Sequence, residues 1–206
     1  MEITLADIGR RFNRDWVFRR VTYQFVAGRC YAILGPNGSG KSTLLQVIAS
    51  SLTPSKGQIR YTIGDHSVKP EAIYRYISLV APYMELIEEF TLAEQIRFHF
   101  KHKHYLHGVN EQRLMERLGL QHAKDKQIRF FSSGMKQRVK LALACYTDTP
   151  MVLLDEPTTN LDHQGVDWYL DLVDKTKGNR LVLVCSNQEK EYGFCEHLIN
   201  ITDYKA

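Results

Sequence analysis

The 206-residue sequence predicts an α/β fold in which crossover helices join the strands of a parallel sheet. Two observations carry this prediction. Short apolar strand patterns alternate with helical patterns in the first and last thirds of the chain. A glycine-rich turn also separates one of these strands from the helix that follows it, as at the ligand-binding edge of many parallel sheets.

The first third is rich in β-branched and aromatic residues, which favour strands. Four strands are predicted there, at residues 3–12, 17–25, 29–34 and 58–63. A helix is predicted from Lys41 to about Ser50, directly after the glycine-rich turn. Gly64 and Asp65 end the fourth strand.

The middle of the chain changes to helical patterns, at residues 92–103, 111–118 and 134–146. Alternation then returns, with strands at residues 151–154, 181–185 and 198–201 and a helix near residues 165–175. We therefore predict a single domain over residues 1–206. Its core covers about residues 1–90 and 148–206, and about residues 91–147 form a helical insertion.

Residues 35–42 read G-x-x-x-x-G-K-S, the phosphate-loop motif, in the strand–turn–helix context that the motif requires. Successive backbone N–H groups and the helix dipole can bind phosphate there. We expect Lys41 to reach the β- and γ-phosphates, Ser42 to coordinate Mg²⁺ and Thr43 to add a phosphate contact. The predicted nucleotide-binding residues are Gly35, Pro36, Asn37, Gly38, Ser39, Gly40, Lys41, Ser42 and Thr43.

The predicted strand at residues 151–154 ends in two carboxylates, Asp155 and Glu156. In a parallel sheet, the carboxyl ends of the strands face the ligand. Asp155 is expected to hold Mg²⁺ through water, and Glu156 to orient and deprotonate an attacking water. Next to a phosphate loop, this pair predicts hydrolysis of the nucleotide.

Two further segments carry a family resemblance. Residues 131–138, F-S-S-G-M-K-Q-R, resemble the ABC signature usually written L-S-G-G-Q, and residues 157–162, P-T-T-N-L-D, resemble the D-loop. With the phosphate loop and the acidic strand end in the family's order, nearly the whole chain resembles the nucleotide-binding domain of an ABC ATPase. The resemblance implies a P-loop NTPase core with a parallel sheet, an N-terminal antiparallel β layer and an inserted α-helical subdomain.

The resemblance also implies a dimer. In the family the signature addresses the γ-phosphate bound by the other subunit, a role that here falls to Ser132, Ser133, Gly134 and Met135. Asp162 falls in the D-loop. One chain has one phosphate loop and one signature, so two chains, most simply two copies, would close around Mg-ATP. Ser132 can also be an ordinary helix N-cap, and both roles can hold together.

The family places an aromatic residue that stacks on adenine at the position of Phe12. A core aromatic of the strand is the alternative at this position. Stacking of a base on an aromatic ring is tolerant of sequence.

Two family positions are changed. Asn187 stands where the family has a histidine that contacts the γ-phosphate. Pro82 follows a further predicted strand at residues 76–80 and stands where the family has a glutamine. Ser133 and Met135 replace a glycine and a glutamine of the signature. An amide can donate to phosphate but cannot change charge as histidine does. Because Glu156 is kept, we predict an ATPase, slowed by these replacements; a subunit that only binds ATP would more naturally lose Glu156.

The first functional hypothesis is the ATPase subunit of a transporter whose membrane-spanning part is a separate chain. Residues 83–87, Y-M-E-L-I, lie in the loop that meets the membrane subunit in the family; the alternative is that they pack inside the domain. No apolar run approaches the roughly 20 residues of a membrane span, and no signal segment is seen. We therefore expect a cytoplasmic protein, peripheral at the inner face of the membrane through partner subunits.

The second hypothesis is a soluble non-transport ABC ATPase that acts on nucleic acid or on a protein assembly. Such proteins generally carry coiled-coil insertions, tandem ATPase domains or basic tails. The sequence shows none of these features, so no nucleic-acid partner is expected.

Four histidines, His99, His102, His104 and His107, lie close together in the helical middle of the chain. Such density is typical of metal sites. The spacing does not place them on one helical face, and Lys101 and Lys103 would repel a cation. We predict a solvated basic face instead.

Overall fold

The computed structural model describes residues 1–205 and confirms the α/β fold. The strands are β1 (Glu2–Phe12), β2 (Asp15–Val26), β3 (Cys30–Leu34), β4 (Lys56–Ile63), β5 (His66–Val68), β6 (Ile77–Val80), β7 (Met151–Asp155), β8 (Leu181–Cys185) and β9 (His197–Asn200). The α-helices are α1 (Lys41–Ile48), α2 (Leu92–His102), α3 (Glu111–Leu118), α4 (Ser133–Cys145), α5 (His163–Lys177) and α6 (Glu189–Tyr192). Short 3-10 segments cover Pro70–Tyr76, Gln121–Ala123, Ile128–Phe130 and Ile201–Tyr204.

The strands form two sheets. An antiparallel sheet has the order β2-β1-β4-β5, and a parallel sheet has the order β6-β7-β8-β3-β9. The antiparallel layer expected at the N-terminus is therefore present, with β4 and β5 added to it. The helices α2, α3 and α4 follow one another in the chain between β6 and β7.

Two hydrophobic clusters lie on opposite faces of the parallel sheet. On β7, Met151 and Leu153 pack into the cluster that contains α1 and the antiparallel layer, whereas Val152 and Leu154 pack into the cluster that contains α2 to α5. Side chains alternate between the faces of a strand, so an uninterrupted apolar strand is buried on both sides. Close packing on both faces holds the sheet, and hence the loops at its edge, in place.

Four loops leave the carboxyl ends of the neighbouring strands β6, β7, β8 and β3. They begin at Ala81, Glu156, Ser186 and Gly35. Because parallel strands all end at the same edge, this order brings together segments that are far apart in the sequence. The candidate site lies along that edge.

Candidate nucleotide-binding site

The phosphate loop runs from β3 to α1 in a conformation that depends on glycine. Gly40 immediately precedes α1 with a φ of 107°, and a Cβ atom there would lie 2.5 Å from the side chain of Val17. Gly38 has a φ of 73° at the exposed tip of the loop. Such positive φ angles are readily adopted only by glycine. The glycines therefore let the loop backbone lie closer to β2, and to a bound ligand, than a loop with side chains could.

Lys41 is the first residue of α1 and is buried. Its Nζ donates to the carbonyl oxygens of Gly35 at 2.8 Å and Pro36 at 3.2 Å. The ammonium group is thus held across the opening of the loop. The first turn of α1 contains no acidic residue to offset the positive end of the helix dipole. The site combines a fixed cation with a helix N-terminus, which suits a polyanion such as a triphosphate.

Asp155 is the last residue of β7 and is almost completely buried. Burial raises the pKa of its carboxyl group, and a hydrogen bond from Ser42 acts in the opposite direction. Its Oδ1 atom is buried without a hydrogen-bond partner. An unsatisfied buried carboxylate oxygen is costly unless another group completes its shell.

The Ser42 hydroxyl and the Asp155 carboxylate are oxygen ligands of the kind that Mg²⁺ prefers, and Mg²⁺ usually keeps waters and substrate phosphates as its other ligands. Within residues 1–205, no group of three or more His, Cys, Asp or Glu side chains is arranged to hold a metal by itself. The residues therefore fit a Mg²⁺ ion whose other ligands are waters and phosphate oxygens.

Glu156 follows Asp155 with a φ of 45°, in the left-handed region that non-glycine residues rarely adopt. Its N–H donates to the carbonyl of Cys185 on β8 at 2.9 Å, which fixes the turn against the sheet. Strained backbone of this kind is concentrated at functional sites. The turn separates the two carboxylates: Asp155 is buried, and Glu156 is only partly buried.

Asn187 lies beside the phosphate loop. Its Nδ2 donates to Oδ1 of Asn37 at 3.3 Å, although the two residues are 150 positions apart. Both side chains are exposed, so the amide is open to a ligand. Pro82 lies in the loop after β6. It is exposed and lines a small cavity together with Ser133 of the signature segment and Asn160 of the D-loop segment.

Phe12 is 49% exposed at the end of β1, which rules out the core alternative. The guanidinium carbon of Arg10 lies 4.6 Å from the centre of the Phe12 ring. Phe12 and Gly38 line the same open cleft next to the phosphate loop. An aromatic ring at this place can stack on a base whose phosphates lie in the loop.

The signature segment opens α4. Ser132 is its N-cap, and its Oγ accepts from the N–H of Met135 at 3.2 Å. Ser132 and Ser133 are exposed, while Gly134 and Met135 are partly buried. A Cβ atom on Gly134 would lie 3.0 Å from the carbonyl oxygen of Asn160 in the D-loop segment. The two segments are therefore in close contact within one chain, and the signature hydroxyls face solvent.

Asp162 has a structural role that does not depend on a partner. Its Oδ1 accepts from the N–H of Gly165 at 2.7 Å and caps α5.

The four histidines of the cluster differ in their exposure to solvent. His102, His104 and His107 are exposed, as predicted for a solvated face. His99 differs from the prediction because it is partly buried and its Nε2 lies 2.8 Å from Oγ1 of Thr147. Burial lowers the pKa of His99 to about 4. Its place on the inner side of α2 explains the difference.

Comparison with known proteins decides the family. The sequence pattern of the ABC transporter family matches residues 18–159, more than half of the chain. The chain belongs to the ABC transporter family. Its ABC relatives include NatA, an ABC transporter ATP-binding protein of Bacillus subtilis, which is 30% identical over 213 residues, with 97% of this chain and 85% of NatA covered.

A second relative from the same organism is YybJ, an uncharacterized ABC transporter ATP-binding protein. It is 26% identical over 196 residues, with 94% of this chain and 89% of YybJ covered. Both relatives are ATP-binding proteins by name, and the family is one of ATPases.

Solved ABC structures share the fold. The ATP-binding subunit of an ABC transporter superposes with a TM-score of 0.81 at 24% identity, over 97% of this chain and 85% of that chain. A bacterial ABC transporter cassette, solved as a dimer, superposes with a TM-score of 0.78 at 23% identity, over 96% and 93% of the two chains. In the part of the chain that the structure describes, no helix combines the length and apolar character needed to cross a membrane.

Proposed function

We propose that this ABC ATPase binds Mg-ATP, closes as a dimer around it and hydrolyses it to drive a separate membrane-spanning chain. The observation that carries the proposal is the convergence of the phosphate loop, Asp155, Glu156 and Asn187 at one edge of the sheet. ATP-binding relatives and a dimeric structural neighbour support it. The soluble non-transport alternative has no comparable observation in its favour.

The residues divide the chemistry between them. The loop N–H groups and Lys41 bind the phosphates, and Phe12 stacks on the base. Ser42 and Asp155 would hold Mg²⁺, which neutralises charge on the phosphates when it is bound. Glu156 takes a proton from the attacking water, and Asn187 donates a hydrogen bond toward the γ-phosphate. The signature residues Ser132, Ser133, Gly134 and Met135 complete the site of the other subunit, with Asp162 in the D-loop beside them.

Slow hydrolysis follows from Asn187 and Pro82. An asparagine amide is a neutral donor, whereas a histidine is a better donor next to developing negative charge. Pro82 has no side-chain amide, and it lines the same small cavity as Ser133 of the signature segment. Both features would lower the rate without removing ATP binding, since Lys41 and the loop are intact.

Asn187→His is therefore expected to raise the rate of ATP hydrolysis. The measurement is steady-state phosphate release at saturating Mg-ATP. The matched control is Asn179→His, at an exposed asparagine in the turn between α5 and β8. An Asn187→His protein with an unchanged or lower rate would mean that the site is built around asparagine, through its contact with Asn37.

The loop at residues 82–90 is the proposed contact with the membrane-spanning chain. Tyr83 and Met84 are 54% and 37% exposed, which supports an interface. The apolar segment predicted at residues 83–87 is nevertheless divided, because Leu86 packs against the helical cluster and Ile87 is only partly exposed. The Ile87 N–H donates to Oε1 of Gln95 at 3.0 Å, and this hydrogen bond holds residues 86–87 against α2.

A groove lies behind this loop. Its walls include Leu79, Val80 and Leu86, and Lys103 and Lys140 stand on its sides. Lys140 donates to the carbonyl of Met84 at 3.2 Å, so the loop and α4 are linked there. An apolar groove next to exposed Tyr83 and Met84 suits a helix from a membrane subunit.

The double variant Tyr83→Glu/Met84→Glu tests this contact. Because both side chains are exposed, it should keep its melting temperature and its Mg-ATP binding but lose co-sedimentation with membranes that contain the partner chain. Leu198→Glu is the matched control, since Leu198 is 57% exposed on β9 at the opposite edge of the sheet. A double variant that unfolds, or that still co-sediments, would contradict the proposed interface.

A further inference from the structure

Glu191 is a fully buried acid that the proposed chemistry does not use. It lies on the short helix α6, four residues beyond Asn187, and none of its surface is exposed. A buried carboxylate is costly unless several donors satisfy it. The donors around the Glu191 carboxylate therefore indicate which parts of the fold it connects.

Three donors converge on this carboxylate. Oε1 accepts from the N–H of Thr158 at 3.0 Å and also from the Thr158 hydroxyl. Oε2 accepts from the hydroxyl of Ser186. Both carboxylate oxygens therefore have hydrogen-bond donors inside the protein, as a buried acid requires. The backbone is fixed as well, since the Tyr169 hydroxyl donates to the Glu191 carbonyl at 2.9 Å.

One side of this contact leads to the phosphate loop. Ser186 directly follows β8 and is buried, and its neighbour Asn187 donates to Asn37 of the phosphate loop. The Ser186 Oγ also accepts from the Gln188 N–H at 2.8 Å, which closes the turn that carries Asn187. The position of the Asn187 amide thus depends on Ser186, and Ser186 is held by Glu191.

The other side leads to the signature helix. Thr158 is two residues beyond Glu156, and Pro157 lies between them. The Pro157 carbonyl accepts from Nε2 of Gln137 on α4 at 2.7 Å, a contact that is buried. The signature residues begin that same helix. A continuous series of contacts therefore runs from the phosphate loop through Glu191 to α4.

We propose that Glu191 is a positioning residue that joins the Asn187 turn to the loop after Glu156, so that the phosphate-loop half and the signature half of one chain move together. The inference rests on the proposed function, because it concerns alignment of Glu156 and Asn187 for hydrolysis. Glu191 touches neither nucleotide nor water in this role. It acts through Ser186 and Thr158.

Two substitutions separate positioning from general support of the fold. Glu191→Ala removes both contacts, whereas Glu191→Gln can keep them, because its amide oxygen accepts from Thr158 and its NH₂ donates to the Ser186 Oγ. Ser186→Ala breaks only the phosphate-loop side and changes little volume. Glu189→Ala is the control, since Glu189 is an exposed acid on the same helix.

Glu191→Ala and Ser186→Ala are each expected to lower kcat roughly 10- to 100-fold, the effect of losing a hydrogen bond to a charged group. KM for ATP should change little, because the phosphate loop and Lys41 are untouched. Glu191→Gln should recover most of the rate. The double variant Ser186→Ala/Glu191→Ala should be no slower than Glu191→Ala alone, because the effects of substitutions in one hydrogen-bond network do not add.

A second measurement does not need ATP. In nucleotide-free protein, hydrogen exchange at the Thr158 amide should be faster in Glu191→Ala than in wild type, because that amide loses its acceptor. The amides of β7, which keep their sheet bonds, should be unchanged.

The inference is overturned if the Thr158 amide exchanges at the same rate in both proteins. It is also overturned if Ser186→Ala matches an active wild type, or if kcat falls only in proportion to a lost melting temperature and Glu191→Gln gives no recovery. A wild type without ATPase activity would overturn the proposed function as well, and that result is visible without any variant.

Discussion

Replacing Lys41 with alanine is expected to lower the affinity for Mg-ATP by roughly 10- to 100-fold, since hydrogen bonds to charged groups contribute about 1.5–3 kcal/mol. Lys41 is buried and its ammonium group lies over the phosphate loop, 2.8 Å from the Gly35 carbonyl. In the bound state, phosphate oxygens would be its partners. No other Lys or Arg follows in α1 to replace it.

The measurement is the shift in melting temperature with millimolar Mg-ATP, because a ligand that binds only the folded state stabilises it by mass action. Wild type should show a clear shift, and Lys41→Ala little or none. Lys56→Ala is the matched control: Lys56 is an exposed lysine on β4 whose partner is Asp7. Equal shifts in wild type and Lys41→Ala would contradict the proposed role, and no shift in wild type would contradict nucleotide binding.

Most elements of the fold could be predicted because their signals are local. Strand β8 is an unbroken apolar run, β7 is apolar up to Asp155, and α1 follows a glycine-rich turn. The elements that were missed, β5 and α6, have only three and four residues and are largely polar or charged. No periodicity can be read over so short a span.

Pairing of strands was not predictable from pattern alone. β4 joins β1 in the antiparallel sheet, although β3 and α1 lie between them in the chain. Alternation says that a strand is half-buried, but it does not say which strand is its neighbour. The family resemblance supplied the antiparallel layer that the pattern could not.

The candidate site divides in the same way. The phosphate loop and the Asp155–Glu156 pair are contiguous in sequence, so their chemistry could be inferred directly. The place of Asn187 at the site could be predicted only from the resemblance, and its contact with Asn37, 150 residues away, came from the structure. Glu191 was missed because it lies in the charged run Glu189, Lys190, Glu191, which is typical of a solvated surface.

The sequence left open whether the apolar residues at 83–87 are exposed or pack inside the domain, and the structure shows some of each. Leu86 and Met84 are both apolar, yet only Leu86 packs against the helical cluster. The difference arises from the turn geometry and from the Gln95 side chain that holds the Ile87 N–H. Neither contact is encoded within the loop itself.

Glu156→Gln is expected to reduce ATP hydrolysis by roughly 10²- to 10⁴-fold, the usual effect of a general base. Gln has nearly the same shape, so the turn at φ 45° and the N–H bond to Cys185 should be kept. Mg-ATP binding should therefore survive. Phosphate release at saturating Mg-ATP measures the loss, and Glu189→Gln, an exposed acid on α6, is the matched control.

Loss of hydrolysis without loss of binding should also trap the dimer. The exposed Ser132 and Ser133 hydroxyls at the start of α4 have no phosphate of their own chain to bind in this scheme, so they are expected to bind the γ-phosphate held by a second copy. Light scattering of Glu156→Gln should then give twice the monomer mass with Mg-ATP and the monomer mass without it. Adding Ser132→Ala and Ser133→Ala should weaken that dimer while the thermal shift with Mg-ATP remains. A Glu156→Gln protein that binds Mg-ATP but stays monomeric would rule out the homodimer, because ATP bound at the phosphate loop would then not bring two copies of the chain together.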